Sequence, residues 1–396
     1  MTHPLYNRIE EELAQLAEND NLRVLPSAVF GHGYVVDVHG GHSTESMLNL
    51  SSNDYLSIAS DKELETLFLE SLGDDEPLMS ASSSRLLTGE SKAYRELEAL
   101  LSSLYGGRAA IVFSSGYHLN SGVLPAISDA DTLIVSDKLV HASIIDGIRL
   151  SGAAHKRYRH NDYNHLEHIL STSAGEYKSV IVVTESIFSM DGDRCDLGIL
   201  TDMRRRYPNM MLYIDEAHGV GAYGPGGLGV VQESGLLDQV DLLVGTMGKA
   251  LGSTGAYLIC HDVVKRYLVN RARPFIFTTA LPPVSLLWSR FVMERLAGMT
   301  DRRERLASVS ARLRQGLESL GHHTPSQSHI IPLIVGQSRK SVELARRLRE
   351  GGFYLLPIRP PTVPEGMSRI RISLTATVTD SQCDRLLECI DKGMRE

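Results

Sequence analysis

Apolar positions recur along this chain at two spacings. Leu5, Ile9, Leu13 and Leu16 follow the helical period, which predicts an amphipathic helix over residues 4–18. Residues 35–50 read as two short strands around a turn at Gly40 and Gly41. From about residue 56, helical patterns alternate with short apolar runs: AAIVF (109–113), TLIVS (132–136), SVIVVTE (179–185), MLYID (211–215), DLLVGT (241–246) and GAYLIC (255–260). That alternation predicts an α/β domain with a mainly parallel sheet covered on both faces. Near residue 285 the order changes to a helix after Pro283, a long helix over 301–320, strand 330–335, helix 339–350, strands 353–358 and 368–374, and a closing helix. This predicts a smaller α+β domain. The expected division is an N-terminal segment 1–55, a large α/β domain 56–285 and a small C-terminal domain 286–396, without internal repeats or a low-complexity linker.

Composition closes several routes. With 396 residues, 42% hydrophobic and 22% charged, the chain has room for two or three domains and a core that needs no staples. A net charge of -8 argues against nucleic acid or an anionic membrane as the main partner. The basic runs at Arg204–Arg206 and Arg346–Arg347 fall in helical patterns and read as solvated faces. Cys195, Cys260, Cys383 and Cys389 show no Cys-x-x-Cys spacing, so neither a metal site nor a disulfide framework is expected. The N-terminus MTHPLYNRIEEELAQL lacks the marks of a secretory signal, and no run approaches the ~18 apolar residues of a membrane span. A cytoplasmic protein is expected.

Parallel sheets bind ligands beyond the carboxyl ends of their strands. Gly116 and Tyr117 follow one predicted strand, Glu185 to Ser189 another, Asp215 and His218 a third, and Thr246 and Lys249 a fourth. Together they point to one crevice. Alone, Lys249 reads as a loop lysine; between Gly248 and Gly252, in apolar surroundings, desolvation is expected to lower its pKa and make it a nucleophile or Schiff-base former. Asp215 could cap a turn, or could keep a pyridine nitrogen protonated, which makes pyridoxal phosphate (PLP) an electron sink. His218 could bond the phenolic oxygen of such a cofactor, and His141 could stack on its ring. The Ser114-Ser115-Gly116-Tyr117 turn offers helix N–H groups to a phosphate, with Thr246 and Ser189 as hydroxyl donors. Gly219-x-Gly221-x-x-Gly224 has the spacing of a dinucleotide fingerprint, but Pro225, Gly226, Gly227 and Gly229 follow and cannot propagate the helix it requires. It reads as a loop.

LSSNDYL (50–56), SRLLTGESKAYRELE (84–98), FSSGYHLN (113–120), HASIIDG (141–147), TESIFSMDGD (184–193), DEAHGVGAYGPGGLG (215–229) and TMGKALGSTGAY (246–257) occur in order. Through them the chain resembles the α-oxoamine synthases, fold-type I PLP-dependent transferases that condense an amino acid with an acyl thioester. The resemblance runs from about residue 20 to 390. It implies a seven-stranded, mainly parallel sheet and a homodimer with the cofactor near the interface; apolar, hydroxyl-bearing FIFTTALPP (275–283) is the candidate for reaching the neighbouring site. It implies that Lys249 is the Schiff-base lysine and the base at Cα, that Asp215 pairs with the pyridinium, His218 with the phenolic oxygen, and that His141 stacks on the ring and touches substrate. Gly116, Tyr117, Ser189 and Thr246 would surround the cofactor; Asn53 and Glu185 would be active-site partners; Arg371 would grip the amino-acid carboxylate; Thr362 would touch substrate. The family's N-terminal substrate arginine aligns with Leu22 or Arg23, and Arg23 is the expected one.

Within the family, PLIVG (332–336) and IRPPTVPEGMSRIRISLTA (358–376) imply L-alanine and a pimeloyl thioester, carried by CoA or by an acyl carrier protein, in biotin biosynthesis. Glycine with an acetyl donor is the alternative. Arg359, beside Pro360 and Pro361, is expected at the acyl pocket. Arg369 and Arg371 are expected on opposite faces of their strand. The chain departs from the family at Ala81-Ser82-Ser83, where a glycine-rich run is common.

Overall fold

Every apolar run expected between residues 109 and 260 becomes a strand of one sheet. The computed structural model describes residues 3–25, 28–31, 33–37, 46–72 and 78–395. The sheet comprises β1 (Ala109–Phe113), β2 (Thr132–Asp137), β3 (Ala154–Tyr158), β4 (Ser179–Glu185), β5 (Met210–Asp215), β6 (Leu242–Thr246) and β7 (Ala256–Cys260). Its order is β1-β7-β6-β5-β4-β2-β3. β7 runs antiparallel to both neighbours; the other pairs are parallel. Ile134, Val183, Tyr213 and Val244 are buried in one core cluster, as expected where helices cover a parallel sheet on both faces.

β3 was not legible as a strand. Its sequence AHKRY is polar and mostly exposed, and it pairs only with β2 at the sheet edge, where charged side chains are a normal guard. Helix α1 (Gly116–Ile127) follows β1, and α2 (Ala142–Ser151) follows β2. The two pack so closely that a Cβ on Gly147 would stand 2.4 Å from the main-chain oxygen of Asn120.

The chain divides into two compact units, Asp61–Ser189 with Arg194–Arg303, and Met1–Ser60 with Met190–Asp193 and Glu304–Glu396. The sheet-bearing unit runs past the change of pattern at residue 285, because helix Pro283–Arg295 packs on helix Lys92–Leu104. In the other unit, Ile330–Gly336, Ser368–Ser373 and Pro357–Ile358 form an antiparallel sheet. The run FYLLPI (353–358), expected as one strand, is two. Phe353–Tyr354 pairs with Met47–Asn49, and Pro357–Ile358 pairs with Ser368–Ser373. Ser51 marks the change of sheet, its hydroxyl donating to the Tyr354 oxygen and accepting the Leu356 N–H. Strands Tyr34–Asp37 and Met47–Asn49 pair as expected, while the turn at Gly40 and Gly41 lies outside the described residues. Helix Pro4–Glu18 forms over the expected range. Among the described residues, no helix is long and apolar enough to cross a membrane.

Candidate active site

The carboxyl ends of β1, β4, β5 and β6 meet at a cavity of about 260 Å³. Gly116, Tyr117, Glu185, Asp215, His218, Thr246 and Lys249 line it, joined by His141 at the N-cap of α2. Ser189 does not line it. A wider hollow of about 780 Å³ in the same unit, lined by Arg95, Glu98 and Lys265, holds none of these residues.

Lys249 Nζ lies 3.0 Å from His218 Nε2. The Asp215 carboxylate is buried and accepts two N–H groups, Asn120 Nδ2 on Oδ2 and the Ala217 main chain on Oδ1, both at 2.9 Å. The His141 main-chain N–H donates to Glu185 Oε1 at 2.6 Å. Burial pulls the His141 pKa down; the Asp215 charge opposes this and Lys249 reinforces it. Burial pushes the fully enclosed Glu185 well above the carboxylate range, with Asp215 adding and Lys249 opposing. Around the mouth, Ser115 caps α1 by accepting the His118 N–H, leaving the first turn of that helix at the cavity. A Cβ on Gly116 would stand 3.0 Å from Thr246 Cγ2, so glycine permits the close approach of helix start and strand end. Tyr117 donates its hydroxyl to Asp146 Oδ2 at 2.5 Å.

Asn120 and Ser143 also line the cavity and were missed. Asn120 stands one helical turn after Gly116, so the 3.6-residue period placed it on the same face.

Glu216, beside Asp215, faces elsewhere. It is fully buried, accepts Ser186 Oγ and the Val231 N–H, each at 2.6 Å, and burial pushes its pKa up to about 7. The glycine loop wraps this carboxylate. A Cβ on Gly219 would fall 1.8 Å from Glu216 Oε2, and Gly229, at φ +106°, would meet the same group at 2.6 Å. No helix opens at Gly219; the next begins at Val230. Of the false dinucleotide fingerprint, Gly219 makes room for a buried carboxylate and Gly224 packs against Gln232.

The other unit holds its own polar groups. Arg371 donates to Asn53 Oδ1 at 3.2 Å and to Ser373 Oγ at 2.6 Å. Arg369 pairs with Asp191 at 2.6 Å. The expectation that these arginines point oppositely is wrong: side chains alternate with period two, so residues 369, 371 and 373 share one face, and Arg371 does bond Ser373. Their partners separate them. Arg23 donates to Thr362 Oγ1 at 2.9 Å, and Arg359 donates to the main-chain oxygens of Asp20 and Leu22. Burial, then the charge of Arg23, lowers the pKa of Arg359. Arg23, Arg359 and Thr362 are thus gathered from opposite ends of the chain.

Residues 45–390 match the family model described as aminotransferase class I and II. A Chlorobaculum parvum protein named 8-amino-7-oxononanoate synthase is 46% identical over 387 residues, 97% of this chain and 97% of that protein. Among solved structures, a Sphingomonas wittichii serine palmitoyltransferase is similar at a TM-score of 0.87 and 30% identity, over 98% of this chain and 96% of that one. A Francisella tularensis 8-amino-7-oxononanoate synthase is similar at a TM-score of 0.74 and 26% identity, over 88% of this chain and 98% of that one.

Proposed function

The chain belongs to the class I and II aminotransferase family, a family of PLP enzymes, and on that premise we propose that it condenses L-alanine with a pimeloyl thioester. The products are 8-amino-7-oxononanoate, CO2 and the free thiol of CoA or a carrier protein, a step of biotin biosynthesis. The observation that carries this reading is the meeting of Lys249, His218, Asp215 and His141 at one cavity, in a chain 46% identical to a named synthase.

The donor set fits PLP. Asp215 gives a buried carboxylate for the pyridine nitrogen, Lys249 an amine for the aldehyde, and the start of α1 with Thr246 a place for the phosphate. PLP supplies an electron sink for the pair left at the amino-acid Cα. Lys249 Nζ would hold the cofactor covalently and then take the Cα proton, with His218 Nε2 keeping that amine in place. His141 would cover the ring, and Glu185 fixes it through the main-chain N–H. Arg371, held by Asn53 and Ser373, would receive the alanine carboxylate on a two-pronged guanidinium. Arg23, Thr362 and Arg359 would bind the acyl donor's polar end. Ser189 is proposed as a hydroxyl beside the phosphate.

The working form is proposed to be a cytoplasmic homodimer. Helix Pro4–Glu18 buries no residue of its own, and Phe277 is 71% exposed within FIFTTALPP. An active monomer in sedimentation at working concentration would remove this part. The reaction is tested by mass spectrometry of products from a panel of amino acids and acyl thioesters. Alanine with a pimeloyl donor should turn over fastest; a preference for glycine with acetyl-CoA, or serine with a palmitoyl donor, would contradict the assignment.

A further inference from the structure

A buried chain of hydrogen bonds crosses the floor of the cavity, and its direction is set at one end. Tyr213, fully buried, donates its hydroxyl to Asn120 Oδ1 at 2.5 Å. Burial and then the Asp215 charge hold that phenol well above its ordinary pKa, so it remains a donor. With its oxygen facing Tyr213, Asn120 turns its nitrogen to two acceptors, Asp215 Oδ2 at 2.9 Å and Ser143 Oγ at 3.0 Å. Ser143, having accepted from Asn120, has its own hydroxyl proton to give, and His141 Nδ1 lies 2.8 Å away. The Ser143 main-chain N–H also reaches Nδ1, at 3.2 Å. A ring nitrogen that accepts twice carries no proton, which leaves the imidazole neutral with its hydrogen on Nε2.

We infer that Asn120 and Ser143 are positioning residues that hold His141 as the neutral Nε2–H tautomer and tie it to the Asp215 carboxylate. The inference deepens, and rests on, the reading of this cavity as the PLP site. Gly147 is the enabling residue, since a Cβ there would stand 2.4 Å from the Asn120 main-chain oxygen and part α1 from α2. Asp215, Lys249, Asp146 and Glu185 are the charged or titratable groups around His141. Asp215 and Asp146 favour a charged ring; burial and Lys249 oppose it. The Ser143 hydroxyl adds a donor that only the neutral ring can use.

The test uses holoenzyme labelled with 15N-histidine, its His141 signals assigned by comparison with His141→Gln. At neutral pH the wild type should show Nε2 protonated and Nδ1 bare. Ser143→Ala removes the hydroxyl donor, so the His141 pKa and the acid limb of the kcat/KM profile should rise by about half to one pH unit. Ser143→Thr keeps the hydroxyl and should restore both. Asn120→Leu should shift both in the same direction; should it not fold, Tyr213→Phe, which frees the amide to rotate, gives a smaller shift of the same sign. A protonated Nδ1 in the wild type, or an unchanged tautomer and profile in Ser143→Ala and the Asn120 or Tyr213 variant, would overturn the inference. The ring signals are read without substrate, so an enzyme that prefers other substrates but keeps this tautomer would sink only the substrate assignment.

Discussion

The cavity and the glycine loop meet at the end of β5, and neighbouring carboxylates serve them differently. Asp215 turns to the cavity, where side-chain and main-chain N–H groups hold it beside the Lys249–His218 pair. Glu216 turns inward, where Ser186, the Val231 N–H and the close approach of Gly219 and Gly229 enclose it. Period-two alternation alone sends the two carboxylates to different surroundings. Chemistry thus follows from neighbours rather than from residue type. Arg369 and Arg371 teach the same lesson from one strand face: the first is held by a carboxylate, the second by an amide and a hydroxyl.

The largest effect belongs on the cavity side. Lys249→Ala should lower kcat by about 10²–10⁴-fold, the usual worth of a positioned proton acceptor, without a comparable loss of stability. Steady-state kinetics beside urea denaturation measures both, and near-wild-type turnover would break the contrast.

Glu216→Gln should do the reverse. Burial raises Glu216 from 4.5 to about 7, so the folded protein keeps a proton that the unfolded chain has released. Stability therefore falls as pH climbs from about 4.5 through about 7, by about 3 kcal/mol at full ionisation. Glutamine has no proton to lose. Its exchanged hydrogen bonds add only a constant offset, so the stability difference between the two proteins should change by that amount across the window while turnover stays near parental. A difference that is flat with pH would show that Glu216 does not titrate there.

A smaller effect sharpens the arginine contrast. Arg371→Lys should raise the KM for alanine by about 10- to 150-fold, equivalent to roughly 1.5–3 kcal/mol for bonds to a charged group. Arg369→Lys should disturb stability more than KM, because its guanidinium pairs with Asp191. Equal KM changes in both would erase the distinction.

The sheet and its ligand end were legible because strands covered on both faces read as continuous apolar runs and their termini stand out. β3 escaped for the opposite reason: an edge strand such as AHKRY needs no apolar face. An apolar run also does not say which sheet each half will pair with, and FYLLPI divides between two. Asn120 and Ser143 gain their roles only once two helices pack at contact distance, and Gly147 is the single local trace of that packing. The nearness of Arg23 to Thr362 spans 339 residues of chain, and only the family resemblance named the two together beforehand.

Borohydride reduction of the holoenzyme, followed by peptide mapping, tests the placement of the chemistry most directly. The reduced cofactor should be found on the peptide containing Lys249 and on no other. A label on a different lysine, or none on a protein that binds the cofactor, would contradict the assignment of this cavity.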